Sequence, residues 1–269
     1  MMDQKQNRTK ALVLSLGSII IFIVLLIILS QIKKFIPEKF ERYAHGMLGI
    51  IAALISTWIF LRYEKKSFRD IGLKWKTNTF KKFLIGMAAG FFISAVMIIS
   101  QVYLSGLEIV KVKNPDIFIF IGWALALFPL AFMEEIAFRG YPFIKLNKTF
   151  GFRITQIIIA VSFALYHVAN GWPIGLSFLG PAIWSLAFGL SAQISGGISM
   201  PTGLHFGVNF ILALFGAQKG ITSIWTINFP GDAAKDAMET NERSGIAIQF
   251  ILLVACIIAT EWFIRRKKL

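Results

Sequence analysis

An all-α, polytopic membrane protein is the fold class this sequence predicts, with about eight transmembrane helices enclosing an intramembrane cavity. Three observations predict it. Hydrophobic residues make up 56% of the chain, above the roughly 45–50% usual for soluble domains, and the mean hydropathy is +0.69. The apolar residues come in long uncharged blocks, several of which reach the roughly 20 residues a helix needs to cross a bilayer core. The charged residues flank those blocks. A soluble protein with buried helices is the plainer alternative, and the block lengths disfavour it.

The blocks place candidate spans at 11–32, 44–61, 83–104, 117–138, 154–169, 174–194, 202–217 and 246–264. The first follows Lys5, Arg8 and Lys10, as a signal peptide would. It is too long for a signal segment, and no small-residue cleavage site follows it, so it reads as a retained span. The fifth and seventh are short. "NGWP" (Asn170 to Pro173) marks a turn between the fifth and sixth. "SGGISMPTG" (Ser195 to Gly203) separates the sixth from the seventh and allows a broken start to that helix. The chain thus divides into N-terminal helices (1–116), a core (117–217), and an outer loop with a last helix (218–269), all in one membrane domain. No repeat or low-complexity segment is evident. The sole cysteine, Cys256, can form no intramolecular disulfide.

The formal net charge of +14 does not point to nucleic acid, because the basic residues sit at the ends of apolar blocks, as membrane anchors do. They also set an orientation. With the N-terminus inside, eighteen basic residues fall on inner segments: Lys5, Arg8 and Lys10, eight between Arg62 and Lys82, Lys145, Lys148 and Arg153, and Arg265 to Lys268. Nine fall outside: four between Lys33 and Arg42, then Lys111, Lys113, Lys219, Lys235 and Arg243. Both termini are therefore expected in the cytoplasm, in a plasma membrane of bacterial type. The stretch from Gly216 to Gly245, with Asp232, Asp236, Glu239 and Glu242, reads as a solvated connector or as a lid over a cavity.

Ionisable side chains at membrane depth are costly, and each marks a candidate functional site. Twelve of the fourteen acids lie in loops, tails or near span ends; Glu134 and Glu135, in "MEEIAFRG", are the exceptions. Glu135 and Arg139 are spaced i, i+4 and share a helix face. Glu134 points about 100° away, unpaired and suited to act as a base. The plainer reading is an ion-paired clamp without chemistry. Glu134 and His167 are nearly equidistant from the turn at Thr149 to Gly151, each about 25 Å along a straight helix, so the fourth and fifth spans would bring carboxylate and imidazole opposite each other. Phe163 lies one turn before His167. Taken alone, His167 reads as a hydrogen-bonded packing residue. His205 and Asn209, again i, i+4, share one face of the seventh span, where they would bind a metal, donate to an oxyanion, or form an interhelical polar clamp.

Together the motifs read EExxxR (Glu134, Glu135, Arg139), FxxxH (Phe163, His167) and HxxxN (His205, Asn209), in that order on separate spans. This set resembles the CPBP family, the type 2 CAAX prenyl endopeptidases and their bacterial Abi relatives, over about Ile117 to Phe215. The resemblance implies an intramembrane endopeptidase. Glu134 would activate the attacking water with His167 helping to position it, Glu135 and Arg139 would hold the motif in shape, and His205 with Asn209 would stabilise the oxyanion. Glu134, His167 and His205 would also supply a His₂Glu zinc site with an open position, although the compact HExxH pattern is absent, and a metal-free glutamate mechanism uses the same residues. The implied partners are the lipid bilayer and a membrane-associated peptide or protein, prenylated or lipid-embedded chains included. Two other readings compete. One is a non-catalytic scaffold binding a partner membrane protein, which degenerate motifs would have favoured. The other is a proton-coupled transporter, which inverted repeats would have favoured.

Overall fold

The computed structural model describes residues 2–218, 222–229 and 234–266. It is a helical bundle with one small two-stranded sheet. Seven helical stretches among the described residues are long and apolar enough to cross a membrane: 5–35, 38–63, 79–105, 117–150, 152–169, 174–195 and 236–266. The chain is an integral membrane protein by this measure. The first three are α1 (Met2–Ser30, continued by a 3₁₀ turn), α2 (Glu38–Tyr63) and α3 (Thr79–Ser105). The fourth is broken into α4 (Ile117–Leu125), α5 (Leu127–Arg139) and α6 (Tyr141–Phe150). α7 (Phe152–Ala169) follows, then the short α8 (Ile174–Ser177), a π turn at Phe178–Ala182 that holds Pro181, and α9 (Ile183–Ser195). α10 (Ser199–Leu214) and α11 (Ala234–Arg266) complete the bundle.

The expected seventh span is the one that falls short. α10 has 16 residues, about 24 Å of helix, against a hydrocarbon core of about 30 Å. Its residues 201–208 are all buried among neighbouring helices, so protein rather than lipid surrounds it. Nor does it begin with broken backbone. The helix runs from Ser199 through "MPTG", with Pro201 in its first turn, where a missing N–H costs nothing.

The break at Gly140 overturns the picture of a straight fourth helix. Its backbone turns away at φ −75°, ψ −117°, and a Cβ there would run into the carbonyl oxygen of Ile136. α6 therefore leaves the axis of α5. The stretch 216–245 is not a plain connector either. It contains β2 (Trp225–Asn228), which pairs antiparallel with β1 (Glu108–Lys111), Glu108 opposite Asn228 and Lys111 opposite Trp225. α11 then begins at Ala234, and Glu239 pairs with Arg243 one turn on. Asp232 lies outside the described residues.

The two ends of the bundle are distinct. At one lie the α1–α2 turn, the sheet, the α7–α8 turn and the chain after α10, tied together by Tyr43 donating to the Gly122 carbonyl and by Arg42 reaching Gln218. At the other lie the α2–α3 connection, the α6–α7 turn and the α9–α10 turn. There Lys145 pairs with Glu64, Lys82 donates to the Ser195 carbonyl at 2.5 Å, and Gly72 meets Gly196.

Aromatic side chains fill the centre. Phe22 of α1 packs edge-on to Phe138 of α5 at 6.2 Å, and Phe138 to Phe163 of α7 at 5.0 Å. α3 and α10 approach backbone to backbone. A Cβ on Gly86 would collide with the Met200 carbonyl, and one on Gly203 with that of Phe83; Gly90 and Gly207 are equally constrained. Lipid tails are as apolar as leucine, so membrane helices associate through such close packing of small residues.

Candidate active site

The site is assembled from α5, α7, α9 and α10. α5 carries the two glutamates, and their environments differ. Glu135 is fully buried. Its Oε1 accepts from Arg139 Nη1 at 3.3 Å, one turn along the same helix, and lies 3.0 Å from Nδ1 of His205. Arg139 is itself buried, and its Nη2 donates to the Ser185 hydroxyl at 2.6 Å and to the Ser185 carbonyl at 3.2 Å on α9. The guanidinium also lies over the rings of Phe163 (4.7 Å) and Phe188 (5.3 Å). A buried charge pair is costly unless its remaining groups are hydrogen-bonded; Ser185 and His205 supply such bonds, while Oε2 of Glu135 and Nε of Arg139 have no partner among the described residues.

Glu134 stands apart from this cluster. It lines a cavity of about 1210 Å³, whereas Glu135 and Arg139 do not. Its Oε2 is buried without a hydrogen-bond partner and lies 3.7 Å from Nε2 of His205. Tyr166 of α7 interacts with the same carboxylate. His205 thus stands between two carboxylates, Nδ1 facing Glu135 and Nε2 facing Glu134. Phe188 stacks on its ring at 4.4 Å with 16° between planes, which fixes the ring's tilt.

His167 and Asn209 line the same cavity. Nδ1 of His167 bonds the Phe163 carbonyl at 2.9 Å, and Phe163 and Trp172 pack edge-on to its ring at 4.6 and 5.3 Å. Its Nε2 is the nitrogen left for the cavity. Among the described contacts it is His205, not His167, that meets the carboxylates, because α5 and α7 do not run as a straight hairpin through Gly140. Asn209 Oδ1 accepts from Gln218 Nε2 at 3.1 Å, and Gln218 Oε1 accepts from Arg42 Nη1 at 3.4 Å. Arginine has donors only, so Gln218 must turn its oxygen to Arg42 and its nitrogen to Asn209. That polarity leaves the NH₂ of Asn209 for the cavity.

Residues 116–211 match the Rce1-like family. The family is described as type II CAAX prenyl endopeptidase Rce1-like. No curated protein matches the chain. The matched segment runs from the cap of α4 to the last turn of α10 and holds all seven motif residues. The matched family is one of CAAX-type proteases, and the match spans residues 116–211 of the 269.

Among the described residues no three His, Cys, Asp or Glu side chains come together to hold an ion. Glu134, His167 and His205 border one cavity without converging on a point, although the Nδ1 contacts of both histidines leave Nε2 as the nitrogen facing it. The three do not fit a zinc site as they stand, and no step below is routed through a metal.

Sequence reasoning missed Ser185, Phe188, Tyr166 and Gln218. Serines and aromatics are too common in apolar spans to stand out, and Gln218 lies in a segment read as a connector. A usable signal was present in the spacing of Gly86 with Gly90 and of Gly203 with Gly207, which marks the seam that carries His205.

Proposed function

We propose that the chain is an intramembrane endopeptidase that hydrolyses a peptide bond in a membrane-associated polypeptide, using water activated by Glu134. One observation carries this reading: of two adjacent glutamates, one is held by Arg139 and His205 away from the cavity, while the other lines the cavity with an unpartnered Oε2 beside Nε2 of His205. An unsatisfied buried oxygen costs about 1–3 kcal/mol. A water molecule removes that cost and is the nucleophile the reaction needs.

In the proposed mechanism Glu134 takes a proton from water as its oxygen attacks the scissile carbonyl carbon, and Nε2 of His167 helps to position that water. The carbonyl becomes a tetrahedral oxyanion. In the doubly protonated ring that this step requires, with Nδ1–H donated to Glu135, Nε2–H of His205 and the NH₂ of Asn209 donate to it. Fixed donors of this kind are each worth roughly 3–4 kcal/mol of barrier. As the C–N bond breaks, Glu134 returns the proton to the leaving amine. Glu135, Arg139 and Ser185 act as positioning residues. By this reading the core 117–217 carries the chemistry, and the flanking helices 1–116 and 218–269 complete the cavity.

The test is cleavage of a library of membrane-anchored peptides, prenylated CAAX ends included, by purified protein in nanodiscs. Glu134→Gln is the control variant, with and without a strong zinc chelator. Cleavage by the wild type and not by the variant supports the reading. Cleavage lost in chelator as well would mean that Glu134, His167 and His205 reorganise around an ion. Cleavage retained in Glu134→Gln overturns the reading.

A further inference from the structure

We infer that the cavity opens on the non-cytoplasmic face of the membrane and receives interfacial polypeptide segments lying at that face. The cavity mouth is built from one end of the bundle: Lys33, Glu38 and Arg42 at the α1–α2 turn, Asn170 and Trp172 at the α7–α8 turn, and Gln218 beyond α10. Among the described residues, none from 64–78, 150–153 or 196–198, the opposite end, lines it.

That opposite end is where the basic residues gather. It holds the eight from Arg62 to Lys82, together with Lys145, Lys148 and Arg153. The basic starts and stops of the chain lie there too. Lys10 of α1 sits over the Tyr63 ring at the end of α2, and Glu261 near the end of α11 pairs with Arg153 at the start of α7. Lys and Arg concentrate on the cytoplasmic flanks of membrane helices. The basic end is therefore cytoplasmic, and the cavity mouth is not.

The mouth also indicates what enters. Its rim carries both signs of charge, with Lys33 paired to Glu41 at 2.8 Å and Arg42 over the Trp123 ring at 5.7 Å. Tryptophan and paired charges of this kind belong to the headgroup level. The chemistry fits an amphipathic stretch next to a membrane anchor, on the outer side, rather than a chain end held in the cytoplasm. This choice of substrate rests on the endopeptidase reading; the sidedness does not.

The single cysteine makes the test direct. In a Cys256→Ser background, one cysteine is placed at Glu38, on the rim, and in a second variant at Ser67, on the opposite end. Both sites are exposed. A membrane-impermeant maleimide is applied to intact cells and to inverted vesicles, and detergent-opened membranes show that each site is reactive. The rim cysteine is expected to label in intact cells and the Ser67 site only in inverted vesicles; the reverse pattern overturns the inference. A second arm offers one reporter peptide anchored by a single helix in either orientation. Cleavage of the outward form alone, lost in Glu134→Gln, supports the substrate assignment, and cleavage of the inward form alone overturns it. Correct labelling with neither reporter cut would count against the endopeptidase reading and leave the sidedness standing.

Discussion

Glu134 and Glu135 are chemically identical neighbours, and their surroundings give them different work. Glu135 is tied to Arg139 and His205 in a buried cluster, so removing either member of the ion pair leaves the other as an uncompensated charge. Arg139→Met is expected to cost about 3–5 kcal/mol of stability, seen as a large fall in the thermal midpoint in detergent. Glu134→Gln should leave that midpoint within a degree or two of wild type and abolish cleavage; equal losses of stability in the two variants would sink the division of labour. Gln218 makes a finer case. Gln218→Glu keeps the partner for Arg42 but offers Asn209 an acceptor, which would flip the Asn209 carboxamide and turn its oxygen to the oxyanion. It should therefore lower kcat further than Gln218→Ala, towards the roughly hundred-fold or greater loss expected when one donor is removed, with KM nearly unchanged. A purely structural role would rank the two variants the other way, because the Glu variant strengthens the contact with Arg42.

At the scale of elements, His205 is placed by the seam between α3 and α10. It sits on α10 between Gly203 and Gly207, and Gly86 and Gly90 face that helix from α3. Gly203→Ala puts a methyl group against the Phe83 carbonyl, which cannot give way without moving the helix. The expected cost is about 1–3 kcal/mol, and activity should fall by more than that loss explains, since His205 moves away from both carboxylates. A Gly122→Ala control, where a Cβ meets open space, should show neither effect. The seam was legible as two glycine pairs at four-residue spacing, yet the spacing alone could not say that the pairs, one on α3 and one on α10, face each other. The length of α10 was misjudged for a related reason. Hydropathy reports the apolar run and not whether protein or lipid covers it.

At the scale of the whole molecule, the alternation of spans puts the sheet, the two turns that line the mouth and Gln218 at one end, and the basic connections at the other. A fluorescent protein fused after Leu269 is expected to fold and fluoresce in the cytoplasm, while an alkaline phosphatase fused there stays inactive; the opposite pair of results would reverse the orientation. The core packs as one unit across the motif-bearing helices and the first span, for Phe22 of α1 touches both Phe138 and Tyr166. Phe22→Ala should therefore destabilise the protein by about 3–5 kcal/mol although it lies far from the motifs in sequence, and a thermal shift assay would show it.

The sequence by itself determined the membrane class, most of the spans and which polar residues stand within them. Those follow from one rule: a charged or polar group at membrane depth costs free energy and persists only for a reason. The i, i+4 spacings were enough to put Glu135 with Arg139 and His205 with Asn209, because helical geometry is local. Only the tertiary structure decided which imidazole meets the carboxylates, where Arg139 finds Ser185, how Gln218 polarises Asn209, and at which end the cavity opens. Each of these depends on the break at Gly140 or on the close approach of α3 and α10. Such crossings are set by contacts between residues far apart in the chain, and no local pattern in the sequence records them.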